Sequence, residues 1–256
     1  MLDRKVTQDR FGRRIAKLTT CALLPVGLLA FWTGIIIAAR RYPTSYDWQY
    51  STVSNLFSPR RDPAGHVSAS AGVLVCSLCM LVWASFAGRS WHRNGWRYRS
   101  AGIGALQLGS FCMLCSSLLP GWLVRVPKAH EMLALAAFTA LCLGIVHLTF
   151  LCLEWALLRR TNSSARYRRL SASILAGAAA LPILFAGLAQ LYVFYALPEL
   201  HWVSRAWRAH GVPVYLSFAF WEWVTCAVLS FYMAIVSVLY CKLCSDLAHD
   251  TNFVTA

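Results

Sequence analysis

Glu222 lies inside the apolar run 213–240, nine residues beyond Pro213, which at 1.5 Å per helical residue puts it roughly 14 Å into a helix. A carboxyl at that depth in hydrocarbon needs a cation, a hydrogen-bonding cavity or a proton of its own, so it is a first candidate for chemistry. His66 opens a second apolar run just after Asp62, and His130 and Glu131 open a third. Together His66, His130, Glu131 and Glu222 form the candidate catalytic set. Three His, Asp or Glu side chains would hold Zn²⁺ with a coordination position left for water, lowering the pKa of that water for hydrolysis. His66, His130 and Glu131 are the candidates for this. Without a metal, one His would serve as general base for attack on a phosphate or carbonyl carbon, with a carboxylate orienting it. No His-Glu-x-x-His, Gly-x-Ser-x-Gly or Walker loop fixes either chemistry. A structural Glu222, bonded to a neighbouring helix through Gln107 or Gln190, is the competing reading.

The chain that must position these groups has 256 residues, 58% hydrophobic and 13% charged, which excludes an ordinary water-soluble domain. Six apolar runs, roughly 18–39, 66–88, 99–119, 129–157, 171–196 and 213–240, predict transmembrane helices. The expected fold is an all-α integral membrane protein, a six-transmembrane-helix bundle forming one domain over 1–256. The first run follows a basic leader and exceeds the about 7–15 residues of a signal-peptide core, so it reads as a retained span. A net charge of +14 would suggest nucleic acid in a soluble protein. Here the charges fall between apolar runs, and no nucleic-acid partner is expected. Of the 24 Lys and Arg residues, 16 lie in the two termini and the loops on their side, so the positive-inside rule predicts cytoplasmic termini.

In the first external loop, Thr44 and Asp47 have the spacing of a capping box, with Asp replacing Glu. Tyr46, Tyr50, Val53 and Phe57 follow at helical spacing, predicting a short interfacial helix anchored by Trp48. Its polar side would present Asp47, Ser51, Ser54 and Asn55. Asp47, Ser54, Asn55 and Asp62 of this loop, Gln107 and Gln190 of the spans, and His201 and His210 before the last span are the candidate ligand-binding residues. Glu199 adds to that external cluster. Ala101, Ala105 and Gly109, and again Ala172, Ala176 and Ala180, make small-residue ladders suited to close packing. Pro25 and Pro182 are candidate kinks.

All ten cysteines fall within or at the end of apolar runs. Pairs three apart (Cys76 with Cys79, Cys112 with Cys115, Cys241 with Cys244) would suit a membrane thiol oxidoreductase, but no loop cysteine exists to meet a substrate. Small apolar residues are the simpler reading, with palmitoylation an option at Cys241 and Cys244. His147 and Glu154, seven apart on one helix face, would suit an ion path. The basic 158–170 loop would meet anionic headgroups.

Val53-Ser54-Asn55-Leu56 with Pro59, then Asp62-Pro63 and His66 at the start of a span, resembles a family of six-span bacterial membrane proteins catalogued as domain of unknown function nine-nine-eight. His130 and Glu222 are similar to its pattern, while Asn55 stands where the family has Asp and Phe57 where it has Gly. The resemblance implies a six-helix bundle in a bacterial inner membrane with a polar centre on the external side, and no settled activity. A more distant similarity is to eukaryotic six-span proteins of lipid remodelling and autophagy.

Three function classes follow. The first is binding of a membrane lipid or small amphiphile in an outward-facing polar cavity, with metal- or His-assisted hydrolysis as an extension and Zn²⁺ as the conceivable cofactor. The second is a proton-coupled transporter or channel using Glu222, Glu131 and His147. The third is a non-catalytic structural or assembly subunit.

Overall fold

A chain in hydrocarbon has no water to satisfy its amides, so long apolar segments must pair their own backbone groups as helix. The computed structural model describes the backbone of residues 2–93, 100–118, 129–160, 164–196 and 207–253, with side chains over 21–88, 101–118, 132–157, 164, 166–196 and 207–242. The helices are α1 (Leu2–Arg41), α2 (His66–Arg93), α3 (Ser100–Leu118), α4 (Ala129–Arg160), α5 (Ala165–Gly177), α6 (Leu181–Ala196) and α7 (Phe218–Phe253). Among the described residues six stretches are long and apolar enough to cross a membrane, the fifth made of α5 and α6 together. The chain is an all-α six-span bundle, as its apolar runs predict.

α1 packs on α2, α2 on α3, α3 on α4, α4 on α7 and α7 back on α1, closing a ring of five helices. α5 and α6 stand outside the ring against α4 and α7. Leu24, Met80, Trp83, Leu106, Ile145 and Leu148 are fully buried inside, whereas Leu29, Phe111, Leu143, Leu188 and Phe231 are more than half exposed on the rim. That outward apolar surface is suited to acyl chains.

Close approach in the ring depends on glycine. A Cβ on Gly34 would lie 2.5 Å from the Ser68 carbonyl oxygen, and one on Gly72 would lie 2.6 Å from that of Ala30, so α1 and α2 touch backbone to backbone. α3 meets α4 through Gly102 and Gly109, not through the expected Ala101–Ala105–Gly109 ladder; Ala101 is exposed and Ala105 only half-buried. Gly102 and Gly109 are seven residues apart, two turns, and therefore share a face. The second ladder does pack inward at Ala172 and Ala176 but continues to Ala179. A 3-10 turn over Ala178–Ala180 tightens the chain there and replaces the four-residue step by a three-residue one.

The prolines explain two local features. Pro182 has no N–H to give Ala178, whose carbonyl instead accepts from Leu181 in the 3-10 turn that separates α5 from α6. Pro25 leaves the Cys21 carbonyl without its helical donor, and the Ser237 hydroxyl of α7 donates to it at 3.3 Å.

Gly34→Ala should destabilise the detergent-solubilised protein by about 1–3 kcal/mol, because a methyl forced between two backbones must separate them. Gly187→Ala, with nothing within 4 Å of the new Cβ, should be neutral. Thermal unfolding measures both; equal shifts would contradict the tight α1–α2 crossing.

Candidate functional site

The 42–65 connection does not form the expected amphipathic helix. Asp47 spends its backbone carbonyl on the amides of Tyr50 and Ser51, making a turn, and Thr52 is extended (φ −66°, ψ 150°). A separate 3-10 helix follows over Val53–Phe57, with Val53, Asn55 and Leu56 buried. Such a start leaves amide N–H groups without helical partners. Thr52 supplies no cap; its hydroxyl is hydrogen-bonded to that of Ser54 at 2.8 Å. Glu222 of α7 does the capping, its Oε2 accepting the Val53 N–H at 2.8 Å, with the Ser54 amide as a second donor. A carboxylate suits this place because its charge faces the positive end of aligned peptide dipoles.

α7 and the residue just before it hold the same segment at further points. Trp223 Nε1 donates to the Ser51 carbonyl at 3.2 Å, and Ser217 donates to that of Gln49 at 2.6 Å. The Tyr46 hydroxyl lies 2.9 Å from the Ser51 carbonyl and 2.8 Å from that of Thr52, and its ring meets Trp223 edge-on at 5.9 Å. Burial pushes the Tyr46 phenol well above its ordinary pKa, and the nearby Glu222 charge acts in the same direction, so the hydroxyl remains a donor. From the connection before α7, Arg208 pairs with Asp47 at 3.1 Å, donates to Gln49 and lies over the Tyr50 ring. The Tyr50 hydroxyl donates to Val212 at 2.7 Å. Residues 46–57 thus form a plug seated on one end of the ring.

Beneath the plug is a cavity of about 110 Å³, walled by all five ring helices and by none of α5 or α6. Val53, Ser54, Phe57 and Glu222 lie at its plug end, joined by Ser116 and Ser117 from the end of α3. Deeper, the wall is apolar: Met80, Phe138, Leu141, Ile145 and Met233. Ile145 and Met233 also border a second void of about 10 Å³ beside Trp83.

Of the expected site residues whose side chains are described, only Glu222 and Ser54 line this cavity. Asp47 is engaged by Arg208. Asn55 is buried and accepts from Arg61. Asp62 is fully buried and accepts the Gly65 N–H at 2.8 Å, while the His66 ring lies 3.0 Å from the Asp62 carbonyl oxygen. Both therefore serve the start of α2. Gln107 bridges to Ser85 of α2 at 3.4 Å, and Gln190 is buried in α6 with its Nε2 unpaired. Neither is the partner of Glu222, whose acceptor role goes to loop backbone. His210 is exposed in the turn before α7. His130 and Glu131 open α4 as expected, but their side chains, like the whole of Glu199 and His201, lie outside the described residues. Among the described residues no three His, Cys, Asp or Glu side chains gather to hold a metal. The expected polar centre is, in this part of the chain, an apolar cavity with one acid.

Glu154 pairs with Arg169 of α5 at 2.9 Å, and the His147 ring fills the space over Gly102, so an ion path through these two is not what the helix face builds. Cys241 is joined to Cys21, 220 residues away, by a disulfide between α1 and α7, which overturns the reading of Cys241 as a small apolar residue or lipid anchor. Cys76, Cys79, Cys112 and Cys115 are free thiols. Sequence reasoning missed Tyr46, Trp223 and the disulfide; the one signal for the first two was their polar tips within apolar surroundings. Comparison with protein-family models, curated proteins and solved structures finds no match to the chain.

Glu222→Ala should speed amide exchange over Val53–Phe57 about tenfold, in line with about 0.5–2 kcal/mol for a lost cap, and Glu222→Gln, which keeps an acceptor, should speed it less. Exchange mass spectrometry on the solubilised protein reads this, and unchanged protection in both variants would disprove the cap. A pH effect follows from Tyr46. Its folded pKa is raised, so above about pH 10, the unfolded value, only the unfolded state loses the proton and stability falls with rising pH. Tyr46→Phe should flatten that part of the decline in melting temperature between about pH 9 and 11.

Proposed function

We propose that this protein binds one slender amphiphile, its apolar tail in the cavity among the ring helices and its polar end beside Glu222 beneath the plug. The observation carrying the reading is the polarity of the cavity: five helices supply a largely apolar wall, and among the described residues a single carboxylate stands at one end. Its size narrows the ligand. A cavity of about 110 Å³ leaves room for one alkyl chain and not for the two of a diacyl lipid side by side.

The charge distribution supports a topology with both termini in the cytoplasm and the plug on the opposite face, while the Cys21–Cys241 disulfide at the terminal end, a bond uncommon in a reducing compartment, weighs against it. The resemblance at Val53–Leu56 and His66 adds a bacterial inner membrane as the setting. Binding is favoured over hydrolysis because His66 serves the α2 start and no described base stands beside Glu222. It is favoured over ion transport because the deep wall at Leu141, Ile145 and Met233 offers no polar step toward the other face. A structural role draws on the Glu222–Val53 hydrogen bond, which would hold the plug with or without a ligand.

Ala137 lines the cavity at 4% exposure, so Ala137→Phe should fill it and leave the plug contacts intact. Lipid mass spectrometry of the gently extracted protein should show a stoichiometric amphiphile in the wild type and its loss in Ala137→Phe, with thermal stability unchanged or raised. Equal lipid content in both would favour the structural role.

A further inference from the structure

We infer that the ligand's polar end is an ammonium group: the cavity is built for a cationic single-chain amphiphile and against fatty acids and phosphate-bearing lipids. This rests on the binding reading above and adds the class of headgroup to it.

Three observations carry it. First, Glu222 is the one charged side chain among the described residues lining the cavity; no Lys, Arg or His joins it. Of the described cations of the neighbouring loops, Arg61 is held on Asn55 and Arg208 on Asp47 and Gln49, while Arg60 is exposed and is not among the lining residues. Against Glu222 in its ionised form, which the plug amide favours, an anionic head would meet a like charge with no counter-ion among the described lining residues, in surroundings of low dielectric where that repulsion is strong. Second, the polar lining offers acceptors. Ser117 gives its proton to Leu114, and Ser230 gives its own to the Cys226 carbonyl while accepting from Trp32, so neither has a proton left for a ligand. A carboxylate has about four acceptor sites, and the two plug amides occupy two of them. The ligand must therefore bring donors, and an ammonium brings three together with a compensating charge. Third, the wall beyond is apolar from Phe138 to Met233, which fits an alkyl chain attached to that head.

The test uses labelled octylamine, octanol and octanoate as probes, with the full-length protein in phosphatidylcholine nanodiscs at pH 7 and equal empty nanodiscs as the blank. At that pH the amine is protonated and the acid ionised. The net charge of +14 would by itself draw octanoate to the protein, so a preference for the amine reports the site and not the overall field. Octylamine should bind about tenfold more tightly than octanol and more tightly still than octanoate, a difference on the order of one charge-assisted hydrogen bond. Glu222→Gln should bring octylamine down to the level of octanol, and Ala137→Phe should abolish binding of all probes. Octanol matching octylamine on the wild type would overturn the ammonium assignment while leaving amphiphile binding standing. So would an amine preference that survives Glu222→Gln. Binding of no probe above the blank would overturn both. Because the wild-type comparison decides the matter alone, a variant that fails to fold does not rescue the proposal.

Discussion

Peptide groups that leave the helix inside a membrane must find another partner in the protein, and in this chain α7 supplies it at three separate places. Where Pro25 deprives Cys21 of its donor, Ser237 provides one. Near the α5–α6 break, the Tyr232 hydroxyl donates to the Leu175 carbonyl at 2.6 Å. Where the 3-10 helix of the plug begins, Glu222 receives the orphaned amide of Val53. These contacts are spread along one helix from its first turn to its last membrane-buried one. α7 is thereby the element that α1, the plug and α5 all require, which accounts for its place in the ring between α1 and α4 with α6 on its outer side.

The same requirement explains why Glu222 is tolerated. A carboxylate facing only hydrocarbon would be costly, but one that accepts two amides and borders a cavity has much of its solvation replaced by fixed dipoles. Its structural role and the proposed binding role are compatible, since capping uses only part of its acceptor capacity. Seating the plug and marking the polar end of the cavity are then two results of one side chain.

The six spans were legible because twenty consecutive apolar residues have few other outcomes, and Glu222 was legible because an acid in such a run stands out. What the other polar residues do was not. His66 and Asp62 lie next to a helix start in sequence, and a helix start consumes polar groups locally; proximity to the right membrane face could not reveal that. Gln107 and Ala101 depended on the rotation of α3 about its axis, which is decided by where Gly102 and Gly109 let α4 approach. The plug was misread as a continuous amphipathic helix because Tyr46, Tyr50, Val53 and Phe57 have the right spacing. Tyr46 and Tyr50 instead direct their hydroxyls to backbone carbonyls, a use of tyrosine that a hydrophobic stripe does not distinguish.

The disulfide between Cys21 and Cys241 ties α1 to α7 at the end of the bundle opposite the plug. Toward the other end the seam between these two helices is held by softer links, such as the Trp32 indole donating to Ser230 at 3.2 Å. A covalent tie at one end turns the pair into something like a book with a sewn spine. The helices can swing apart only by fanning at the unsewn edge, so any widening of the ring along this seam must begin under the plug and close down toward the termini.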